Sequence, residues 1–364
     1  MGIFSRISEL FGGSDEDGLS VPPMDGVFKP NTRLDTAERV LELPAIDNLA
    51  ASAEGALHCS SDNSLFRVDL QSRTAGLVRE FDGPISMIAA RPSGGLAIAV
   101  EGAGLAVIDE AGAVHSIGLP QDHAACLTAG LFEDDDTLLL AVGSRQNAVS
   151  DWKRDLMSHG ASGLVIRHSI ASGRTDILES GLAFPYGLAR LPDGAIAVTE
   201  SWRHRIITVR PGASRPSPVL HDLPAYPARL APASGGYWLA LFAPRRQLTE
   251  LVLREDDYRT EMMATIPSEA WIGPDFADRG SVEQPLQSGS VRQMGIMKPW
   301  APSRSYGMVV RLDAALQPVT SYHSRADGKV HGIASIAEIG GSLYAASRGA
   351  GTLLRLDAAP GEIP

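Results

Sequence analysis

The feature that most constrains this chain is a recurring pattern of short apolar strands separated by glycine turns. From residue 36 onward, turns such as Glu54-Gly55, Ser93-Gly94-Gly95, Pro192-Asp193-Gly194, Ser234-Gly235-Gly236 and Gly340-Gly341 are each followed by an apolar strand, at residues 56–59, 96–100, 195–198, 237–241 and 342–346. Third strands follow at residues 65–68, 105–108, 205–209 and 353–356. The spacing is roughly 40 residues wherever no insertion intervenes, the period of a four-stranded propeller blade. Such a unit cannot bury both its faces alone and must stack sideways on copies of itself. Six units are counted, with inner strands starting near Asp47, Ile85, Cys126, Tyr186, Arg229 and Gly332. The chain stops soon after Leu356, one strand short of a complete last blade. Residues 38–43 precede the first blade and are predicted to supply that strand, which closes the ring without an exposed edge. The expected fold class is all-β, a six-bladed β-propeller over residues 30–364.

Two stretches interrupt the period. One spans residues 146–160 and contains Asp151, Trp152 and Met157; the other, in blade 5, spans residues 245–304. In the second, Leu248, Leu251 and Val252 have helical spacing, and residues 267–302 are loop-rich. Long ordered loops in a compact domain are usually functional, so these are expected to cover one face of the disc as a lid. Residues 1–29 form a separate unit. Ile3, Phe4, Ile7, Leu10 and Phe11 make one apolar helical stripe, and residues 12–18 make an acidic, glycine-bearing linker. The stripe either packs on its own domain or provides a protein or membrane-surface contact through residues 1–11. Arg6 is its one basic residue, and it stands where the myristoylation pattern needs Ser or Thr.

Composition narrows the function classes. Lys and Arg number 32 against 43 Asp and Glu, a net charge of −11. Phosphate-backbone binding needs a basic stripe, so nucleic acid is not expected as a partner. No apolar run is long enough for a membrane-spanning helix, and residues 3–11 lack the continuous apolar stretch of a secretory signal. Cys59 and Cys126 lie in separate strand-like segments and are expected to be buried, reduced thiols rather than a bridge or a zinc site. These features lead us to expect a cytoplasmic protein.

Several motifs carry a family resemblance. They include Gly163-Leu164-Val165-Ile166, the run Gly181-Leu182-Ala183-Phe184-Pro185-Tyr186-Gly187-Leu188, Pro192-Asp193-Gly194, Glu200 and His204-Arg205-Ile206. Tyr226-Pro227-Ala228-Arg229-Leu230, Tyr306-Gly307-Met308 and Glu338 with Leu343-Tyr344 continue the pattern. The sequence resembles the strictosidine synthase-like family, which belongs with the gluconolactonase and paraoxonase-type six-bladed propellers. The match covers residues 125–357 by motif and residues 36–124 by repeat pattern alone. In calcium-dependent relatives, an Asn before the Gly of the Phe-x-Asn-Gly motif and an Asp after the Pro of the next inner strand are metal ligands. Here those positions hold Tyr186 and Ala228, with Arg229 beside the latter, while Asp47 and Asn48 would stand for the first-blade ligand. Calcium takes six to eight oxygens, and this set does not offer them, so no cofactor is expected. The Glu that serves amine–aldehyde condensation in strictosidine synthases falls on Ala334, and a nearby family His falls on Gly332, next to His331. That condensation is therefore not expected.

A propeller gathers the starts of its inner strands around one mouth of the central channel. The expected cluster there is Asp47, Asn48, Ser86, His123, Tyr186, Arg229 and His331, with Trp152, Trp300 and Arg304 added from the insertions. His331, Tyr186 and His123 are the candidate catalytic groups, since an imidazole near neutrality can serve as a general base. Arg229, Asp47, Asn48, Trp300 and Arg304 are the candidate substrate-binding groups, because a guanidinium takes an anion bidentately. No residue is assigned to a metal. The chemistry this set suggests is lactone or ester hydrolysis on a small anionic metabolite. The alternatives are a non-catalytic metabolite-binding propeller, a protein-docking scaffold, or polar residues that merely bond one another in the channel. Glu200 and Arg205 are expected to pair structurally between neighbouring strands.

Overall fold

A computed structural model describes residues 21–52, 54–210, 212, 216–277, 292–293, 296–297, 304–326 and 328–357. The apolar stripe at residues 1–11, its linker up to residue 20, and Trp300 lie outside the described residues. The described residues include six four-stranded antiparallel sheets, a two-stranded pair of Arg292–Gln293 with Ile296–Met297, and short helices. Blade 1 comprises Ile46–Ala51, Leu57–Ser61, Ser64–Asp69 and Thr74–Glu80; blade 2 comprises Ile85–Ala90, Leu96–Val100, Gly104–Ile108 and Val114–Ile117. Blade 3 comprises Leu127–Phe132, Thr137–Val142, Gly163–Ser169 and Thr175–Leu182; blade 4 comprises Pro185–Arg190, Ile196–Glu200, Arg205–Val209 and Ser217–Leu220. Blade 5 comprises Ala225–Ala233, Gly236–Pro244, Met308–Asp313 and Pro318–His323. Blade 6 takes Ile333–Ile339, Ser342–Ser347 and Thr352–Asp357 from the end of the chain and Glu38–Glu42 from its beginning.

The burial pattern explains the sequence pattern. Second strands such as Leu96–Val100 and Ile196–Glu200 are buried at every position, because a neighbouring blade covers each face. They therefore read as continuous apolar runs rather than alternating ones. Alanines such as Ala97, Ala99, Ala197 and Ala345 keep the inner part of the wedge thin. Outer strands are broad and wet, and Thr74–Glu80 is almost wholly exposed. The ring closes where Glu38–Glu42 pairs antiparallel with Thr352–Asp357, with Glu38 opposite Arg355. On its way there the N-terminal segment docks on the outermost strand of blade 5. Asn31 donates to the Ser321 carbonyl at 3.0 Å and accepts from the His323 N–H at 3.0 Å, and Leu34 N–H donates to the His323 carbonyl.

Both insertions connect the second and third strands of their blades, at residues 143–162 in blade 3 and 245–307 in blade 5. In an antiparallel blade those connections lie on the same face as the starts of the inner strands, so both cover the channel mouth. Helix Trp152–Met157 belongs to the first insertion, and helices Gln247–Arg254 and Asp256–Thr265 belong to the second. None of the helices described is long and apolar enough to cross a membrane. Cys59 and Cys126 are buried and free, and burial pushes both thiols up to about 12.

Two buried histidines make the fold acid-sensitive. His323 lies between the Ser321 hydroxyl at 2.7 Å and the Tyr306 hydroxyl at 3.2 Å, and burial lowers its pKa to about 4. His204 is held well below its ordinary value by burial and then by Arg245. Both are neutral in the folded chain and titrate near 6.5 in the unfolded one. Their contribution is therefore present above about pH 6.5 and lost as pH falls; for His323 it is lost towards about pH 4 and is on the order of 3 kcal/mol. Urea unfolding followed from about pH 7 to about pH 4 should show this loss, and His323→Gln should flatten the slope relative to wild type.

Candidate functional site

Each of the six inner strands shifts register just after it starts, at Asp47/Ala50, Ile85/Met87, Leu127/Ala129, Pro185/Gly187, Pro227/Leu230 and Ile333/Ser335. A bulge turns a residue out of its ladder and re-aims its polar groups. The residues inside these shifts include Asn48, Ser86, Thr128, Tyr186, Arg229 and Ala334, and they converge on one guanidinium. Arg229 Nε donates to the Thr128 carbonyl at 3.2 Å. Its Nη1 donates to Asp47 Oδ1 at 2.7 Å and to the Ala334 carbonyl at 3.4 Å. Its Nη2 donates to Asn48 Oδ1 and to the Ser86 carbonyl, the latter at 3.0 Å. The Tyr186 ring lies beneath it, 5.0 Å from the guanidinium carbon to the ring centroid. One side chain on blade 5 thus touches all five other blades, and all five N–H donors of a guanidinium have acceptors.

The surrounding shell fixes this arrangement. Asp47 and Asn48 are buried, and Asn48 donates to Ser60 Oγ at 2.8 Å and to the Ile85 carbonyl at 3.0 Å. Thr128 Oγ1 donates to the Pro185 carbonyl, Thr199 Oγ1 to the Ala228 carbonyl, and Leu49 N–H to Ser335 Oγ. These bonds tie blade 1 to blades 2 and 6, blade 3 to blade 4, and blade 4 to blade 5. Gly187 permits a close approach: a Cβ there would meet the Ala228 carbonyl at 2.6 Å and Arg229 Cα at 2.8 Å. Burial and the Asp47 carboxylate push the Tyr186 phenol up to about 12, so it stays protonated at neutral pH.

Above this hub the insertions meet. Lys153 Nζ lies 2.7 Å from Asp275 Oδ2, and the Trp152 ring lies edge-on to Phe276 with centroids 5.2 Å apart. The first insertion is anchored by the buried carboxylate of Asp155, which accepts from Trp202 Nε1 at 2.8 Å and Asn147 Nδ2 at 2.9 Å. Between the insertions and the blade 6 turn lies a cleft of about 330 Å³, lined by Trp152, Lys153, Arg154, Trp271, Phe276 and Arg348 among others. Arg348 links the two levels: it stacks on Phe276 at 4.6 Å, and its Nη1 lies 3.4 Å from Asp47 Oδ2.

The expected site residues separate into groups. Asp47, Asn48, Ser86, Tyr186 and Arg229 come together at the axis. His331 is buried, but its Nδ1 is 2.7 Å from Ser305 Oγ and its Nε2 is 3.1 Å from the Arg325 carbonyl. His123 sits in the short helix Gln121–Ala124 between blades 2 and 3, with Nδ1 buried and without a partner. Arg304 is buried and donates to the carbonyls of Glu269 and Trp271 at 3.1 and 2.9 Å. Glu200 and Arg205 pair at 2.6 Å, as expected, and Arg203 joins them. Sequence reasoning missed Lys153, Arg154, Trp271, Asp275, Phe276 and Arg348. The available signal was the aromatic content of a segment otherwise read as loop.

Calcium does not fit this axis. The converging oxygens are one carboxylate, one amide and three carbonyls, and all bond Arg229. A guanidinium among them repels a second cation. Among the described residues there is no group of three or more His, Cys, Asp or Glu side chains that could hold a metal.

No protein-family model and no curated protein matches the sequence. Solved structures share the fold. A gluconolactonase from Xanthomonas campestris is 13% identical with a TM-score of 0.55, over 90% of this chain and 91% of its own. The calcium-binding protein regucalcin from Agrobacterium tumefaciens is 13% identical with a TM-score of 0.56, over 88% and 92%. A luciferin-regenerating enzyme is 12% identical with a TM-score of 0.56, over 88% and 94%. At these identities the likeness shows the propeller fold alone.

Removing one partner of a buried, hydrogen-bonded charge pair costs about 3–5 kcal/mol. Arg229→Ala should lose that much in urea unfolding, and Arg229→Lys should recover little, because an ammonium has three donors and no planar fork. Calcium and EDTA should leave the wild-type melting temperature unchanged.

Proposed function

We propose that this propeller binds a small organic anion in the cleft beneath its two insertions, and that it does so without a metal. The supporting observation is the pairing of cations with aromatic walls in that cleft. Arg154 lies 5.5 Å from the Trp271 centroid, Lys153 lies 5.5 Å from that of Trp152, and Arg348 stacks on Phe276. A guanidinium stacked by its face leaves its N–H edge for a carboxylate or phosphate, while the rings offer flat surface to an organic body. Lys153 is engaged by Asp275, so Arg154 and Arg348 are the anion-recognising pair. The motifs around Tyr186 and Tyr226 support a position nearest the strictosidine synthase-like proteins within the gluconolactonase-type propellers. The cytoplasm suits the buried free thiols.

A second reading, hydrolysis of a lactone or ester of the same anionic class, is favoured by the gluconolactonase name of a fold neighbour. Water would add to the carbonyl, the ring or ester C–O bond would break, and the released alcohol would take the proton.

The test is a thermal-shift and turnover screen of carboxylate- and phosphate-bearing lactones, aryl esters and free organic acids. At least one compound should raise the melting temperature saturably, equally with calcium or EDTA, and Arg348→Ala should weaken it about tenfold or more, the worth of one charge-assisted bond. Recovery of the ligand unchanged selects binding, and its hydrolysis selects the second reading. A screen without any saturable ligand, or a ligand that requires calcium, would sink the proposal.

A further inference from the structure

Around the start of the blade 5 inner strand and the foot of the second insertion, several polar side chains are buried without partners. Tyr226 is fully buried and its hydroxyl bonds nothing. The same holds for Arg246 Nη1, Thr249 Oγ1, Arg245 Nη2 and both ring nitrogens of His204. Native interiors leave such atoms unpaired rarely, and each calls for a reason. Here they form one cluster. The His204 and Tyr226 rings are 4.6 Å apart. The Tyr226 phenol feels the charges of Glu250, Arg245 and Arg246, and Arg246 in turn feels Arg304. Thr249 lies in the first turn of helix Gln247–Arg254, and Arg246 occupies the N-cap position without a side-chain cap bond.

The charges in this cluster are unbalanced. Arg245 is answered by Glu250 at 3.1 Å and Asp222 at 2.8 Å. Arg246 is buried, and among the described residues it has no carboxylate partner. Burial, with Arg304 as a neighbouring cation, lowers its pKa to about 10. The helix adds to the positive field. Its first intrahelical bond runs from Glu250 N–H to the Arg246 carbonyl at 3.0 Å, so the N–H groups of residues 247–249 precede the ladder. Helix N-termini of this kind favour anions.

We propose that this cluster is a binding site for a phosphate group, held by Arg246, the hydroxyls of Tyr226 and Thr249 and the first-turn N–H groups. A phosphate dianion supplies the acceptors that these buried hydroxyl and guanidinium donors lack, and it answers the charge of Arg246. None of Arg246, Tyr226 and Thr249 lines the cleft assigned above to organic anions, so this site stands independently of that reading.

The test uses the full chain in phosphate-free chloride buffer. Isothermal titration and thermal shift are run with inorganic phosphate and, separately, with methyl phosphate. Saturable binding is expected, with a melting temperature that climbs with ligand concentration by mass action. Tyr226→Phe and Thr249→Val should each weaken binding about tenfold, Arg246→Gln about a hundredfold, and the exposed Arg174→Gln not at all. Stronger binding of inorganic phosphate assigns the free anion; equal or stronger binding of methyl phosphate assigns the phosphate group of an organic ligand. The proposal is overturned if neither ligand gives saturable heat, or if chloride matches the shift and the variants leave it unaltered. Should Arg246→Gln fail to fold, the wild-type titration and the Tyr226→Phe variant decide the question alone.

Discussion

The five hydrogen bonds of Arg229 are the constraint on which the rest of the disc depends. Six wedges packed around an axis bring six strand starts together, and each bulge there turns polar groups inward. Carbonyl and carboxylate oxygens pointing at one another across a narrow channel repel, and burying them unpaired is costly. A cation on the axis resolves this. In this chain the cation is covalently part of blade 5, and its planar fork bonds blades 1, 2, 3 and 6 while its face rests on Tyr186 of blade 4. A buried ion pair does not by itself guarantee net stability. Its stronger consequence is positional: no blade can shift radially without losing a bond or a ring contact to the same group.

That constraint accounts for two local oddities in the sequence. Gly187 is needed because the blade 4 strand lies against the backbone that launches Arg229, with no room for a Cβ. Asn48 adopts φ +53°, a left-handed conformation that asparagine tolerates better than most residues, and its side chain bonds Arg229, Ser60 and Ile85 together. Both features are legible as positions where backbone geometry is dictated by the axis rather than by strand propensity.

Much of the architecture could be read from residues alone, because it rests on local periodicity. Blades announce themselves by glycine turns and buried apolar runs, and the closing strand was implied by a last blade one strand short. The axial group was legible as a set, since Asp47, Asn48, Tyr186 and Arg229 each occupy the start of an inner strand. Their connectivity was not. Nothing in the chain's order shows that the guanidinium of Arg229 would meet carbonyls 101, 105 and 143 residues away. His331 illustrates the opposite case. It sits one residue from a strand start, yet its ring bonds Ser305 and the Arg325 carbonyl, because Gly332, at φ +64°, turns the chain between it and the strand. The cleft was hardest to foresee. Its walls come from residues 150–154, 268–277 and 348–349, whose meeting depends on how two non-periodic insertions fold over the ring.

An axis whose donors are all engaged has a consequence for where ligands can act. An anion reaching Arg229 would have to displace a carbonyl or Asp47, replacing a preorganised bond with a new one for little gain. Recognition is therefore more favourable where cations are held by stacking rather than by acceptors, and the insertions provide that. Arg348 stands at the boundary, with one contact down to Asp47 and one face on Phe276. It can turn its N–H edge towards the cleft at the loss of only a long, 3.4 Å interaction. In this chain the blades hold the ring rigid, and the segments that interrupt the repeat present the cations and aromatic faces that can distinguish one ligand from another.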